Sequence, residues 1–312
     1  MISVIVLSKN SGDTLDKCLR SIIESEGEKE IIVVDAHSTD NTPQILRKYR
    51  GKIKVVYDEG KGIGIARNIG VKHSKGDIIC FVDADAFVSK DHFTKIKRLF
   101  DEHPEVGVVH VDASEALSDD LPYVQRMEAK LRQIRKGSPY ALSKGESLLA
   151  VGYFLSFRRK VFDDVRGFWE FPPYGADDND FSMKALLKGW KLGVIKLRSW
   201  HRHRTTLKEL LRRMFGLGKG KACLIIKWRK NPLFKRVYKN RLLSKLAENY
   251  QLLLVTAAYI LSPIIAARYA IEARNSSIYP FYVVIQLANF AGFLWGLATW
   301  AKKMSPVKTY NS

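Results

Sequence analysis

Apolar runs of strand length alternate with amphipathic stretches of helical spacing through the first third of this 312-residue chain. The pattern predicts strands near 2–7, 30–35, 53–57, 77–83 and 106–111, and helices near 13–25, 40–49, 63–74 and 90–102. Such alternation is typical of an α/β domain that has a mainly parallel sheet with helices on both faces. In sheets of this kind, ligands bind beyond the carboxyl ends of the strands.

Two carboxylates follow the fourth predicted strand, in Phe81-Val82-Asp83-Ala84-Asp85. Residues i and i+2 of an extended backbone point to the same side, so Asp83 and Asp85 are expected to face one site. Carboxylate oxygens suit Mg²⁺ or Mn²⁺, usually together with the phosphates of a substrate. Taken alone, an Asp-x-Asp pair is more typical of a helix cap beside a solvated acid.

The pattern is less regular beyond residue 113. It predicts a helix near 120–136, a strand near 148–157, a Gly/Pro/aromatic loop over Gly167–Gly175 and a helix from about Asp178 to Lys188. No flexible linker separates these elements from the first half, so we expect one domain over 1–205. No Gly-x-Gly-x-x-Gly follows the first strand, which disfavours a dinucleotide-binding fold of the usual kind.

The remaining chain is first basic and then apolar. Residues 206–248 predict amphipathic interfacial helices, and thirteen Lys or Arg but one acid lie between Lys208 and Lys245. Within 249–312, the stretches 250–267 and 278–301 lack charge and are about long enough to cross a membrane. They predict a transmembrane helix hairpin followed by a short basic tail. A soluble helical hairpin, buried in a core or a dimer interface, is the alternative.

Charge and cysteine content bear on location. The net charge of +20 would ordinarily suggest nucleic acid, but the basic cluster adjoins the most apolar part of the chain, which favours a membrane surface and no nucleic-acid partner. Three scattered cysteines indicate a reducing compartment, and the amino terminus has no signal-peptide pattern. Basic residues at the outer ends of the hairpin predict a multi-pass cell-membrane protein with a cytoplasmic catalytic domain and both termini cytoplasmic.

Four segments occur in a specific order and spacing. They are the stretch 33–42, the stretch 64–70 leading to Gly76-Asp77, the stretch 81–85, and the stretch 177–181 with Gly189-Trp190 after it. Together they resemble the family-2 glycosyltransferases, enzymes with the GT-A fold, over about residues 1–205. The resemblance implies a nucleotide-diphosphate sugar as donor, with UDP or GDP as its nucleotide, and Mn²⁺ or Mg²⁺ as the metal.

The resemblance also implies roles for the donor site. Asp35 is expected to contact the base, and Arg67 to lie near the base or the diphosphate. Asp83 is expected on the ribose side, and Asp85 to hold the metal, with Asp83 as a further metal ligand. The other candidate donor contacts are Ser8, Asn10 and Asn68.

The remaining roles concern the acceptor and the leaving group. The general base is expected at Asp178, with Asp177 as second choice. In Trp200-His201-Arg202-His203-Arg204, His203 is preferred as a metal and donor ligand and Arg204 as a donor contact, while His201 is the alternative. A basic entry to the next helix would explain the same segment.

Two positions depart from the usual family pattern: Ala36-His37 replaces a pair with glycine, and Asp177-Asp178 replaces Glu-Asp. The signature of processive synthases is missing, so single-sugar transfer is expected. The sequence thus predicts an inverting, metal-dependent glycosyltransferase acting on a lipid-linked acceptor, either polyprenyl phosphate or a lipid-linked saccharide. The alternatives are a non-catalytic sugar-nucleotide-binding membrane scaffold and a basic peripheral nucleic-acid binder. The oligomeric state is left open.

Overall fold

The computed structural model describes residues 1–113, 122–134, 146–147, 152–171, 175–202, 206–232, 256–257, 259–300 and 304. They form two compact units. Unit 1 contains the described residues up to Arg202, apart from 122–134 and 175–176. Unit 2 contains those two segments and the described residues from 206 onward.

Unit 1 is built on a mixed sheet. Its strands are β1 (Ile2–Ser8), β2 (Lys29–Asp35), β3 (Lys54–Tyr57), β4 (Ile78–Asp83), β6 (Val106–Ala113), β7 (Glu146–Ser147), β8 (Leu155–Arg158) and β9 (Lys191–Leu197). In the described residues the strand order is β3-β2-β1-β4-β8-β6-β9-β7, and β7 and β8 run antiparallel to their neighbours. A separate two-stranded ribbon pairs β5 (Ala86–Phe87) with β10 (Trp200–His201). The predicted mainly parallel sheet is confirmed.

The helices of unit 1 cover both faces of this sheet. They are α1 (Leu15–Glu24), α2 (Thr42–Lys48), α3 (Ile63–Lys72), α4 (His92–Glu102), α6 (Arg159–Val165) and α7 (Asp177–Leu187). Alternation along β1 explains the arrangement, because Val4 and Val6 join the core that contains α1, whereas Ile5 joins the core that contains α3. The strand predicted near 148–157 is shorter: a 3-10 turn spans Gly152–Phe154 and β8 begins at Leu155.

Unit 2 is helical where it is described. It contains α5 (Tyr123–Ile134), α8 (Leu207–Trp228), α9 (Ser262–Glu272) and α10 (Ile278–Trp300). The predicted apolar spacing at the start of α8 is observed, since Leu210 packs in a core with residues of α5 and α10. At the end of α8, Leu224 and Trp228 are buried within the protein.

One helix among the described residues is long and apolar enough to cross a membrane. This is α10, and 33% of its most apolar window is buried inside the protein. It agrees with the second predicted span. The first span, 250–267, lies partly outside the described residues. Its residues from Ser262 onward belong to α9, which continues through Arg268 to Glu272, and these two residues form an ion pair along the helix with an Nε–Oε1 distance of 2.8 Å.

Candidate functional site

Candidate residues of unit 1 lie at the carboxyl ends of neighbouring parallel strands. Ser8 ends β1, Asp35 ends β2 and Asp83 ends β4, and the registers align Ser8 with Asp35 and Leu7 with Asp83. A parallel register brings the ends of strands to one edge of the sheet. Residues separated by up to 75 positions in sequence therefore meet at this edge, as predicted.

The Asp35 carboxylate is buried and already has partners in the protein. It accepts hydrogen bonds from the backbone N–H of Ser38 at 2.9 Å and from the Ser38 hydroxyl at 2.6 Å. The Ser38 hydroxyl in turn accepts the backbone N–H of Asn10 at 2.8 Å, and Asn10 Oδ1 accepts the N–H of Thr39. These bonds tie the loops after β1 and β2 together. Ser8 Oγ is buried without a hydrogen-bond partner in the described part of the chain.

His37 occupies the position at which the resemblance noted in the sequence implies a glycine. Its φ of 51° lies in the left-handed region, which a residue with a side chain rarely adopts. The imidazole stacks on Tyr57 with ring centroids 5.1 Å apart and an interplanar angle of 17°. The departure from the family pattern therefore keeps a glycine-like backbone and adds an exposed pair of aromatic rings.

An Asp-Asp-His cluster forms where β5 pairs with β10. Ala86 is opposite His201 in this ribbon, and the backbone N–H of Arg202 donates to the carbonyl oxygen of Asp85 at 2.8 Å. His201 Nε2 consequently lies 3.2 Å from Asp85 Oδ1 and 3.8 Å from Asp83 Oδ2. Burial opposes charging of the imidazole, but the two carboxylates outweigh it and raise the pKa of His201.

The cluster has a donor set suited to a divalent cation. One ligand atom from each of Asp83, Asp85 and His201 lies within 4.8 Å of the others. Two carboxylate oxygens and an imidazole nitrogen fit Mn²⁺ or Mg²⁺ and leave room for phosphate oxygens. His201, the alternative of the sequence analysis, is thus the described histidine beside the acids. His203 and Arg204 lie outside the described residues.

The two acids that begin α7 have different surroundings. Asp177 is buried and forms an ion pair with Arg67 Nη1. Burial and the neighbouring charge of Asp177 raise the pKa of Asp178 to about 6, while Arg67 and the backbone N–H groups of Asn179 and Gly152 lower it in part. A carboxylate with this pKa is ionised at neutral pH and basic enough to accept a proton. These properties suit the role expected for Asp178.

Arg67 points into the protein. The residue is 5% exposed, and its guanidinium lies over the rings of Phe81 and Phe168 at 5.3 Å from each centroid. Besides Asp177, it bonds the carbonyl oxygen of Gly152 at 3.3 Å. The residue expected near the base or diphosphate therefore has its partners beside the candidate general base.

Asn68 fastens the loop that precedes α7. Its Oδ1 accepts the backbone N–H of Phe168 at 2.8 Å, and its Nδ2 donates to the carbonyl oxygen of Phe168 at 3.1 Å and to Glu170 Oε1 at 3.0 Å. Both the oxygen and the nitrogen of the side-chain amide therefore bond to other residues of the protein. This candidate donor contact holds the Phe168–Phe171 segment against α3.

Residues 3–166, more than half of the chain, match the family described as Glycosyl transferase family 2. The chain belongs to glycosyl transferase family 2. It is therefore a glycosyltransferase, and the expectation from the four segments is confirmed at this level.

Relatives and solved structures agree with the family. Poly(ribitol-phosphate) beta-N-acetylglucosaminyltransferase TarS of Staphylococcus aureus is 26% identical over 210 residues, which cover 64% of this chain and 35% of that protein. The chain thus matches about a third of the length of this relative. Mannosyltransferase PcManGT of Pyrobaculum calidifontis, solved with GDP-Man and Mn²⁺, aligns with a TM-score of 0.63 and 21% identity over 97% of this chain and 88% of that one.

A TarS structure in complex with UDP-GlcNAc aligns with a TM-score of 0.54 and 18% identity over 96% of this chain and 91% of that one. These structural likenesses show a GT-A-like fold for this family-2 enzyme. Two of its site residues had little or no local signal in the sequence. Gly152 lies in an apolar run without a motif, and His201 reaches the acids through the pairing of β5 with β10, which the sequence does not show.

Proposed function

We propose that this enzyme is an inverting, metal-dependent, non-processive transferase that moves a sugar from a UDP- or GDP-sugar to a lipid-linked acceptor. The observation that carries the proposal is the placement of a cation-type ligand set and a carboxylate with a raised pKa in one site. Both Asp83 and Asp178 interact electrostatically with the Arg67 guanidinium, so the two groups lie within electrostatic range of one cation. Metal-assisted transfer to a hydroxyl acceptor uses both groups at one reaction centre.

The donor would lie along the edge formed by β1, β2 and β4. Asp35 and Ser8 offer polar atoms at the base end, and Asp83 offers a carboxylate to the ribose. Asp83, Asp85 and His201 would hold Mn²⁺ or Mg²⁺, which supplies charge compensation for the departing diphosphate. The related structures were solved with GDP-Man or UDP-GlcNAc, which supports a nucleotide-diphosphate sugar as donor and leaves both bases as candidates.

Asp178 would act on the acceptor. Attack by an acceptor oxygen in line with the leaving group inverts the anomeric carbon, and a hydroxyl must lose its proton as the new bond forms. Asp178 accepts that proton, for which its pKa of about 6 leaves it ionised at pH 7. A phosphate acceptor is already ionised, so it depends less on the base.

A lipid-linked acceptor is supported by unit 2. The helix α10 carries no charged residue over Ile278–Trp300, and Val284, Leu287 and Leu294 are exposed at helical spacing along it. Exposed apolar stripes of this length are unfavourable in water and suit a bilayer. We propose attachment to the cell membrane through the predicted spans, with the catalytic unit and both termini in the cytoplasm. TarS, by its name, acts on poly(ribitol phosphate), so a polymer is the competing acceptor class.

A donor and acceptor panel tests the proposal. The purified full chain is incubated with UDP-, GDP- and dTDP-sugars and Mn²⁺ or Mg²⁺, with polyprenyl phosphate, lipid-linked saccharides, poly(ribitol phosphate) or no acceptor. Release of nucleoside diphosphate and labelled sugar in the lipid phase are the readouts. Absence of release with every donor would refute the catalytic proposal and favour the scaffold. Transfer to the polymer alone would refute the lipid-linked acceptor.

Two variants sharpen the panel. Asp178→Asn should lower turnover with a hydroxyl acceptor by about 10²–10⁴-fold and leave donor affinity unchanged, with a smaller loss for a phosphate acceptor. Asp163→Asn, an exposed acid on α6, is the matched control and should retain full turnover. Membrane attachment is tested separately, because release from membranes by high salt without detergent would contradict a spanning α10.

A further inference from the structure

The surroundings of Arg67 differ from those of an arginine that binds phosphate. Its guanidinium is covered by Phe81 and Phe168, and two of its nitrogens are used by Asp177 and by the Gly152 carbonyl oxygen. Arg67 Nε is also buried and lacks an acceptor among the described residues. A guanidinium that binds a diphosphate must present free N–H groups to it. In Arg67 the two terminal nitrogens bond to the protein, and the third nitrogen is buried within it.

The Gly152 peptide joins Arg67 to Asp178. Its carbonyl oxygen accepts the Arg67 bond, and its N–H interacts with the Asp178 carboxylate. A Cβ at this position would lie 2.4 Å from Arg67 Nη2 and 3.1 Å from Asp178 Oδ2. The guanidinium and the carboxylate therefore both approach the space that a side chain at this position would fill, and the site could not accommodate a larger residue without a shift.

We propose that Arg67 is a positioning residue for the base, acting on Asp178 through Asp177 and the Gly152 peptide, and that it makes no contact with the donor. The proposal rests on the proposed function, since the role of Asp178 as base belongs to it. In this proposal the ion pair between α3 and α7 holds the start of α7 in place. Its two charges also influence the pKa of the base.

The charges that act on Asp178 predict a distinctive response. Asp177 on the same helix turn raises the pKa of Asp178, whereas Arg67 from α3 lowers it. Arg67 itself also feels Asp83 from the end of β4. Removing either partner breaks the same ion pair, but the two changes push the Asp178 carboxyl in opposite directions. Opposite shifts in the two variants would show that both charges act on the Asp178 carboxyl.

Arg67→Gln and Asp177→Asn are the variants that use this difference. Carboxyl ¹³C NMR of the full-length protein with labelled aspartate, in saturating Mg²⁺, follows Asp178, whose signal is assigned by its loss in Asp178→Asn. Arg67→Gln should raise the midpoint of the Asp178 titration by about one pH unit, and Asp177→Asn should lower it. The double variant should lie between them. Lys72→Gln, an exposed residue of α3, is the control and should leave the midpoint unchanged.

Kinetic measurements complete the test. The acid limb of the kcat profile should move with the NMR midpoint, while donor affinity by calorimetry stays within about twofold of wild type. Shifts of both midpoints in one direction, no shift, or a tenfold loss of donor affinity in Arg67→Gln would overturn the proposal. If Arg67→Gln does not fold, donor affinity is measured in the double variant instead. The double variant replaces the buried ion pair by two neutral residues and so leaves no unpaired buried charge. An inactive wild type would refute the proposed function alone, since the NMR midpoints need no turnover.

Discussion

Gly64 on α3 offers a direct test of how closely the site is packed. A Cβ on Gly64 would lie 2.1 Å from the carbonyl oxygen of Trp169 and 3.0 Å from its carbonyl carbon, whereas ordinary contact begins near 3.4 Å. Both obstacles are backbone atoms, so no side chain can rotate away. Gly64→Ala must therefore separate α3 from the loop before α7 by roughly 1 Å.

The energy and the rate respond differently to this displacement. Alanine favours the helix by ~1 kcal/mol over glycine, and overpacking costs ~1–3 kcal/mol, so we expect a net loss of about 1 kcal/mol. Misplacement of catalytic groups by ~1 Å can reduce the rate about 100-fold. Gly64→Ala should consequently fold, lose little stability and lose most of its turnover.

Chemical denaturation and nucleoside diphosphate release measure the two effects on the same preparation. Lys72→Ala lies on the exposed face of the same helix and should change neither. Turnover within threefold of wild type in Gly64→Ala would refute the reasoning. The loop at Trp169 would then accommodate the added Cβ without displacing the catalytic groups. A loss of stability that accounts for all of the lost activity would equally contradict it.

Three further predictions follow from other parts of the site. His201→Asn should raise the Mn²⁺ concentration for half-maximal activity by at least ~10-fold. The control His103→Asn, which changes an exposed histidine, should leave that concentration unchanged. An unchanged metal dependence in His201→Asn would contradict the proposed ligand set. The raised pKa of Asp178 means that the folded state disfavours its ionised form, so this carboxyl lowers the stability of the protein as pH rises from about 4 to above 6. Asp178→Asn should therefore raise Tm more at pH 8 than at pH 4. An equal gain in Tm at both pH values would argue against the raised pKa. Phe181→Ala removes a fully buried ring that stacks on Phe168 at 4.3 Å and should cost ~3–5 kcal/mol in denaturant unfolding, against little loss for Leu187→Ala at the exposed end of α7.

Much of unit 1 was accessible from local pattern. Helix and strand periodicity located the elements of the first 113 residues, because buried strands such as Ile31–Val34 and amphipathic helices differ in the spacing of their apolar residues. The carboxylates that end β2 and β4 followed from the same reasoning, since parallel strands end at one edge. The strand near 148–157 was shorter than predicted because an apolar run does not reveal the 3-10 turn at Gly152–Phe154.

Sequence alone determined the family, the parallel core of the sheet and the chemical character of Asp83-Ala84-Asp85, because these depend on local spacing and on motifs in fixed order. Tertiary structure decided that His201 meets these acids, since the pairing of β5 with β10 joins residues more than a hundred positions apart. It also decided the surroundings of Arg67. The sequence shows a cation on a helix, but whether that cation faces a ligand or Asp177 depends on a partner 110 residues away. Long-range contacts of this kind produce no regular spacing of residues in the sequence. They nevertheless determine which charged side chains lie together in the site.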